Sequence, residues 1–257
     1  MQVIAIATQK GGEAKTTTTA ALLSGLTIKG FKVLAIDLDA QSNLTNITGG
    51  SSTDKTVLGL LTRECTAIEA VQKTESGDLI AASSSLASID AILQNELGKA
   101  HRLKKAIEPI SALYDYVIID CPPALGTLTA NALTAADYVI IPAQADISSI
   151  QGIAQLWDTI QEAREYTNSK LEVAGILLTR YNNRTTLNRE IERQLKEEIS
   201  PRMNTRLFNA SIREAIAIKE AKYMQQSIFT YAPKSKVAAD YKAFIEELLP
   251  LLTSKGT

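Results

Sequence analysis

Cysteine is scarce in this chain: only Cys65 and Cys121 occur. Two thiols cannot build a disulfide framework, so a reducing compartment is the default expectation and the fold must be held by its core. The single histidine, His101, excludes a histidine-rich metal site. Charge of one sign is also missing. The 27 Lys+Arg and 28 Asp+Glu leave a formal net charge of −1, whereas dedicated nucleic-acid binders usually carry a basic excess. No window reaches the roughly 18 apolar residues of a membrane span. The first residues lack a basic leader region, and Lys10 interrupts the opening apolar run, so a secretory signal is not expected. These absences point to a cytoplasmic protein. What remains is 257 residues, 45% of them hydrophobic, an ordinary globular composition with ample length for a buried core. No internal repeat or low-complexity linker divides it, so one domain over residues 1–257 is the simplest count.

Short apolar runs alternate with helical patterns. Val3–Ala7, Lys32–Asp37, Asp115–Asp120, Tyr138–Pro142 and Leu171–Leu178 read as buried strands, with weaker candidates at Leu79–Ala82 and Arg206–Phe208. Helices are expected near Thr17–Lys29, Ala87–Leu97, Leu103–Leu113, Ser149–Tyr166, Leu187–Ile199 and Ala238–Leu252, with Gly30 stopping the first and Pro250 interrupting the last. Near-continuous apolar strands separated by helices predict an α/β fold: a mostly parallel β-sheet flanked by helices on both faces.

Three segments carry chemistry. Gln9-Lys10-Gly11-Gly12-Glu13-Ala14-Lys15-Thr16-Thr17 lies between the first strand and the first helix, the context a phosphate loop requires. Glycines let backbone N–H groups approach phosphates, and the helix N-terminus adds positive potential. Lys15 would hold the β/γ-phosphates and the Thr16 hydroxyl would bind Mg²⁺. The common pattern G-x-x-x-x-G-K-[ST] is not met, since Ala14 precedes Lys15. Asp37-Leu38-Asp39 closes the second strand, where alternation puts both carboxylates on one side. Tyr116–Asp120 is an apolar strand ending in a carboxylate, followed by Cys121-Pro122-Pro123. Cys121 reads as a small packing residue.

Together these segments resemble the deviant Walker A motif, K-G-G-x-[GA]-K-[ST]-[ST], and the D-x-D-x-Q-x-N and Walker B segments of the ParA/MinD family of P-loop NTPases. The resemblance extends through Leu128–Asp137, Gly175–Tyr181, Ile212–Ala221 and Ser227–Ser235. It is nearest to the short ParA/Soj type, because no DNA-binding domain precedes the loop. It implies a slow ATPase using ATP and Mg²⁺. Lys10, Gly11, Gly12, Glu13, Ala14, Lys15, Thr16, Thr17 and Arg213 would bind nucleotide. Thr16, Asp37 and Asp120 would serve the metal. Lys10, Lys15 and Asp39 would act in catalysis, with Asp39 orienting the attacking water. An ATP-sandwich homodimer is implied, with Lys10 crossing to the partner's phosphates, as are binding to non-specific DNA, a nucleoid-associated location and a ParB-like partner that stimulates hydrolysis. Glu13 departs from the family pattern. It either faces solvent and matters little, or it weakens ATP binding or tunes dimerisation.

The charge balance divides unevenly. Residues 1–150 carry 11 basic and 15 acidic residues; residues 151–257 carry 16 and 13. Between Arg180 and Lys222 there are 10 basic and 6 acidic residues. Arg184 matches a family position associated with DNA. Ala217 stands where a second arginine is expected, so Lys219 and Lys222 are the substitutes. Two other readings share these motifs: a nucleotide-gated scaffold with negligible hydrolysis, and a MinD-like membrane ATPase. The second asks for a basic amphipathic C-terminal helix, whereas Tyr241–Leu252 is acidic in its middle.

Overall fold

The computed structural model describes residues 1–53 and 55–253. Its centre is an eight-stranded sheet in the order β3-β4-β2-β5-β1-β6-β7-β8. The strands are β1 (Gln2–Ile6), β2 (Val33–Asp37), β3 (Val71–Thr74), β4 (Gly77–Ile80), β5 (Tyr116–Asp120), β6 (Tyr138–Ala143), β7 (Glu172–Thr179) and β8 (Leu207–Ile212). All neighbours pair in parallel except the β3–β4 hairpin at one edge. Hydrophobic patterning does not announce that hairpin, because β3, Val-Gln-Lys-Thr, is a polar edge strand without an apolar run.

Side-chain alternation makes two cores from one set of strands. In β1, Val3 and Ala5 join one face while Ile4 and Ile6 join the other. β2, β5 and β6 divide the same way. The first face is covered by the Thr127–Ala135 and Ile147–Tyr166 helices through Leu133, Ile153, Leu156 and Ile160. The second is covered by α1 (Lys15–Ile28) and the Lys236–Thr253 helix through Leu22, Leu26, Tyr241, Phe244 and Leu248. Each fully buried Leu or Ile contributes about 1.5–3 kcal/mol relative to exposure. Gly25 lets these two helices meet: a Cβ there would lie 2.3 Å from Ile245 Cδ1.

α1 ends as expected. Gly30 takes φ +91°, its N–H donates to Thr27 O at 2.9 Å, and the Phe31 N–H donates to Leu26 O at 3.2 Å. This pair of bonds is a Schellman stop. Three other expectations change. The Ala87–Leu97 helix reduces to a 3₁₀ turn at Ser84–Ser88 and a single turn at Ile89–Ile92. The Leu103–Leu113 helix shortens to Arg102–Ile107, followed by a 3₁₀ turn at Glu108–Ile110. The last helix runs through Pro250 to Thr253, because the buried Leu248 and Leu252 hold both sides of the break in the core. Its acidic middle also has a use. Glu247 accepts the backbone N–H groups of Asn209 and Ala210, each at 2.9 Å, satisfying donors on the edge strand β8.

Candidate functional site

In a parallel sheet the carboxyl ends of the strands share one edge, which is where such folds bind ligands. Here that edge collects the loop after β1 (Lys10–Ala14), Asp37 at the end of β2 and Asp39 just after it, Asp120 at the end of β5, Asp146 after β6 and Arg184 after β7.

The β1–α1 loop turns through Gly12 at φ +84° and Ala14 at φ +64°. Gly11 and Gly12 are exposed, and a Cβ at either would meet nothing within 4 Å, so an open cradle lies above them. Ala14 opens α1 from a left-handed conformation that an L-residue adopts at a cost of about 1–2 kcal/mol. Lys15 is buried, and its Nζ donates to the carbonyls of Thr8 (3.2 Å) and Lys10 (3.4 Å). Burial lowers its pKa, opposed first by the Asp120 carboxylate.

Asp120 is fully buried. Its Oδ1 accepts the Thr19 hydroxyl at 3.3 Å, while Oδ2 has no hydrogen-bond partner. Burial, and then the Asp37 charge, raise its pKa to about 8, with the Thr16 hydroxyl and Lys15 pulling the other way. An orphaned buried carboxylate oxygen beside the Thr16 hydroxyl supplies oxygen donors of the kind a divalent cation takes. Asp37 pairs with Asp120 in the β2–β5 register. Its Oδ1 accepts Asp39 N–H at 3.0 Å, and its Oδ2 accepts the Thr45 N–H and hydroxyl at 2.9 and 2.8 Å. Asp37 therefore fastens the β2 loop to α2 (Asn43–Ile47) as well as adding charge. Asp39 is half-buried and its Oδ1 accepts Gln41 N–H at 2.9 Å.

Glu13 corrects the simpler expectation. It does not face solvent; it is 1% exposed. Its carboxylate turns under the loop, accepting the Ser149 hydroxyl at 2.8 Å and the backbone N–H of Gln144. It also lies 3.1 Å from Lys10 Nζ. Lys10 Nζ donates in turn to Asp146 Oδ2 at 2.6 Å. Asp146 caps the Ile147–Tyr166 helix, accepting Ser149 N–H at 2.8 Å through Oδ1. Burial pulls the Lys10 pKa down, but its bonds to Asp146 and Glu13 outweigh this and raise it. Burial pushes Asp146 up, but Lys10 and the two serines hold it far below the usual carboxylate range. Sequence reasoning assigns no site role to Asp146, Ser149 or Gln144. The N-cap pattern Asp146-Ile147-Ser148-Ser149 is legible there; its contact with the distant phosphate loop is not.

The basic window resolves into spent and unspent cations. Arg193 is held by Glu190 and Glu197 at 2.6 and 3.1 Å. Arg213 forms a bidentate pair with Asp240, at 2.6 and 2.8 Å. Arg184, and Lys219 and Lys222 on the Ile216–Tyr223 helix, are exposed and form no salt bridge among the described residues.

A family model described as an AAA domain matches residues 1–173. The chain is 35% identical over 251 residues to the sporulation initiation inhibitor protein Soj of Bacillus subtilis, covering 96% of this chain and 98% of that protein. It is 34% identical over 255 residues to the chromosome partitioning protein ParA of Caulobacter vibrioides, covering 97% and 94%. The chain belongs to the ParA/MinD family of P-loop ATPases. The family's fold is matched as well. The structure of cobyrinic acid a,c-diamide synthase from Mycobacterium smegmatis, with bound ATP analogue and magnesium, superposes with a TM-score of 0.85 at 34% identity, covering 99% of this chain and 96% of that one. Within the ParA/MinD frame, Glu13 is the departure whose structural consequence is plainest.

Proposed function

We propose that this chain is an ATP-dependent DNA-segregation ATPase whose ATP-bound homodimer holds non-specific DNA and lets go on hydrolysis. The observation that carries the reading is one sheet edge bearing both an open phosphate cradle beside the orphaned Asp120 oxygen and the exposed Arg184, which, like Lys219 and Lys222 on the Ile216–Tyr223 helix, forms no salt bridge among the described residues. Relatives named for chromosome partitioning support it.

Backbone N–H groups of Gly11–Ala14 and the ammonium of Lys15 would hold the triphosphate, and Thr16 and Thr17 would close the start of α1 around it. Thr16 and Asp120 would hold Mg²⁺, with Asp37 behind them fixing the loop. The ion, when bound, neutralises phosphate charge and polarises the γ-phosphoryl group. Asp39 would orient the attacking water. Lys10 would leave its own subunit and meet the partner's phosphates, stabilising charge as an arginine finger does. Arg213, tied to Asp240, would reach nucleotide only by exchanging that partner. Loss of the γ-phosphate removes the ligand shared by two subunits, and release follows. A ParB-like protein would accelerate that step, and ATP-gated DNA binding would make the protein nucleoid-associated.

DNA retention measured with ATP, with ADP and without nucleotide tests the reading. Binding with ATP alone is the expected result; equal binding in all three states overturns it. The scaffold reading has one observation in its favour, the capture of Lys10 by two carboxylates of its own subunit. Nucleotide titration alongside steady-state phosphate release separates the two. The MinD-like reading needs a free amphipathic helix. The Lys236–Thr253 helix spends its apolar side on the core, and among the described residues no helix is long and apolar enough to cross a membrane.

A further inference from the structure

We propose that Glu13 is a positioning residue for Lys10: a buried carboxylate inside the phosphate loop that holds the lysine on its own subunit and sets the threshold for delivering it to a partner. This rests on the reading that Lys10 crosses between subunits in the ATP dimer.

The two carboxylates that hold Lys10 are unequal. The Asp146 side chain is 37% exposed, so water replaces Lys10 when it leaves. The Glu13 side chain is fully buried, and its other partners, the Ser149 hydroxyl and the Gln144 N–H, are neutral. Removing Lys10 leaves the buried carboxylate without its ion-pair partner and facing only the more distant charge of Lys15, the expensive half of breaking a buried pair. Nor is Glu13 free to follow the lysine outward. Its carbonyl accepts the Thr179 hydroxyl at 3.2 Å, and the next residue is Ala14 in its left-handed conformation. On the other side the Gln144 side-chain amide donates to Gly12 O at 3.1 Å, so the backbone is anchored on both sides of Glu13. A hydrophobic residue at position 13 would leave Lys10 with Asp146 alone. A buried glutamate makes release of the lysine conditional on a stronger competing anion, and the phosphates of a partner-bound triphosphate are of that kind.

The test compares the full chain with its Glu13→Gln variant, which keeps an acceptor for Ser149 or Gln144 but removes the charge facing Lys10. Two readouts are needed. The first is acylation of Lys10 in nucleotide-free protein, quantified by peptide mass spectrometry against the exposed Lys222. The second is the protein concentration at which a slowly hydrolysed ATP analogue gives half-maximal dimer. In Glu13→Gln, Lys10 should label roughly three- to tenfold faster and the dimer should form at a concentration lower by a similar factor. Glu13→Asp should restore slow labelling in part. A brace without influence on Lys10 would leave both readouts at the wild-type value, which overturns the proposal. If Glu13→Gln melts early, Glu13→Val combined with Ala14→Gly, which relieves the left-handed alanine, carries the same comparison. Dimerisation lost in Lys10→Ala but unchanged in Glu13→Gln overturns the proposal alone. Absence of any ATP-dependent dimer, in wild type and variant alike, overturns the crossing of Lys10 and the proposal with it.

Discussion

At the β2–β5–β1 centre of the sheet edge, Glu13, Lys15, Asp37 and Asp120 are all buried; in the segments that follow β7 and β8, Arg184, Lys219 and Lys222 all stand in solvent. The same kinds of charge are thus used in two ways. Burial gives each group one geometry and strong coupling to its neighbours, which is what stabilising charge on a transferring phosphoryl group demands. It also costs desolvation, seen in the raised pKa values of Asp37 and Asp120 and the lowered one of Lys15. Binding a polyanion without reading its sequence demands neither fixed geometry nor desolvation, only cations free to displace counterions. Pairing Arg193 and Arg213 with carboxylates keeps that surface modest, which suits the reversible DNA binding proposed above.

The largest effect should come from Lys15→Ala, which removes the cation buried under the cradle. ATP affinity, measured calorimetrically, should fall by about a hundredfold or more, since charge-assisted bonds are worth about 1.5–3 kcal/mol each. Retained affinity would mean that burial at this end is not there for phosphate. Next, Asp39→Ala should bind ATP normally and hydrolyse it about a hundredfold more slowly or worse, in line with the usual worth of a positioned base. Wild-type phosphate release would remove Asp39 from the water-positioning role.

Asp120→Asn should sharpen the comparison through stability. An acid whose folded pKa is raised, here to about 8, favours the folded state when protonated. It destabilises that state progressively as pH climbs from the unfolded value near 4 toward 8. Without Mg²⁺, the variant should therefore melt above wild type, by ~1–3 kcal/mol at pH 8, with the gap closing toward pH 5. Added Mg²⁺ should raise the wild type and leave the variant nearly unmoved. A gap independent of pH would show that Asp120 does not carry the burden assigned to it.

The smallest effects belong to the exposed end. Arg184→Ala, Lys219→Ala and Lys222→Ala should each weaken DNA retention a few-fold and lower the salt slope by about one, leaving ATP affinity and melting temperature in place. A loss of stability instead would mean that these cations belong to the fold.

Much of the fold and of the phosphate loop is legible in the amino-acid sequence alone. Apolar runs in β1, β2, β5, β6 and β7 announce the sheet because parallel strands are buried on both faces. The phosphate loop is legible because Lys15-Thr16 must follow a strand and open a helix. The β3–β4 hairpin is not, since an edge strand needs no apolar pattern. The short elements between Ser84 and Ile110 are not, since their apolar residues pack without regular spacing. The near-zero net charge averages an acidic half, whose key carboxylates are buried, and a half whose basic residues are partly neutralised by Glu190, Glu197 and Asp240.

By itself the sequence determined the buried strands β1, β2, β5, β6 and β7, the family and the identity of the loop residues, because those follow from local pattern and spacing. Only the tertiary structure decided what Glu13 does. Its carboxylate meets Lys10 three residues away, and Gln144 and Ser149 across more than half the chain, and whether a charge there is solvated or buried is set by the helix packed beneath it.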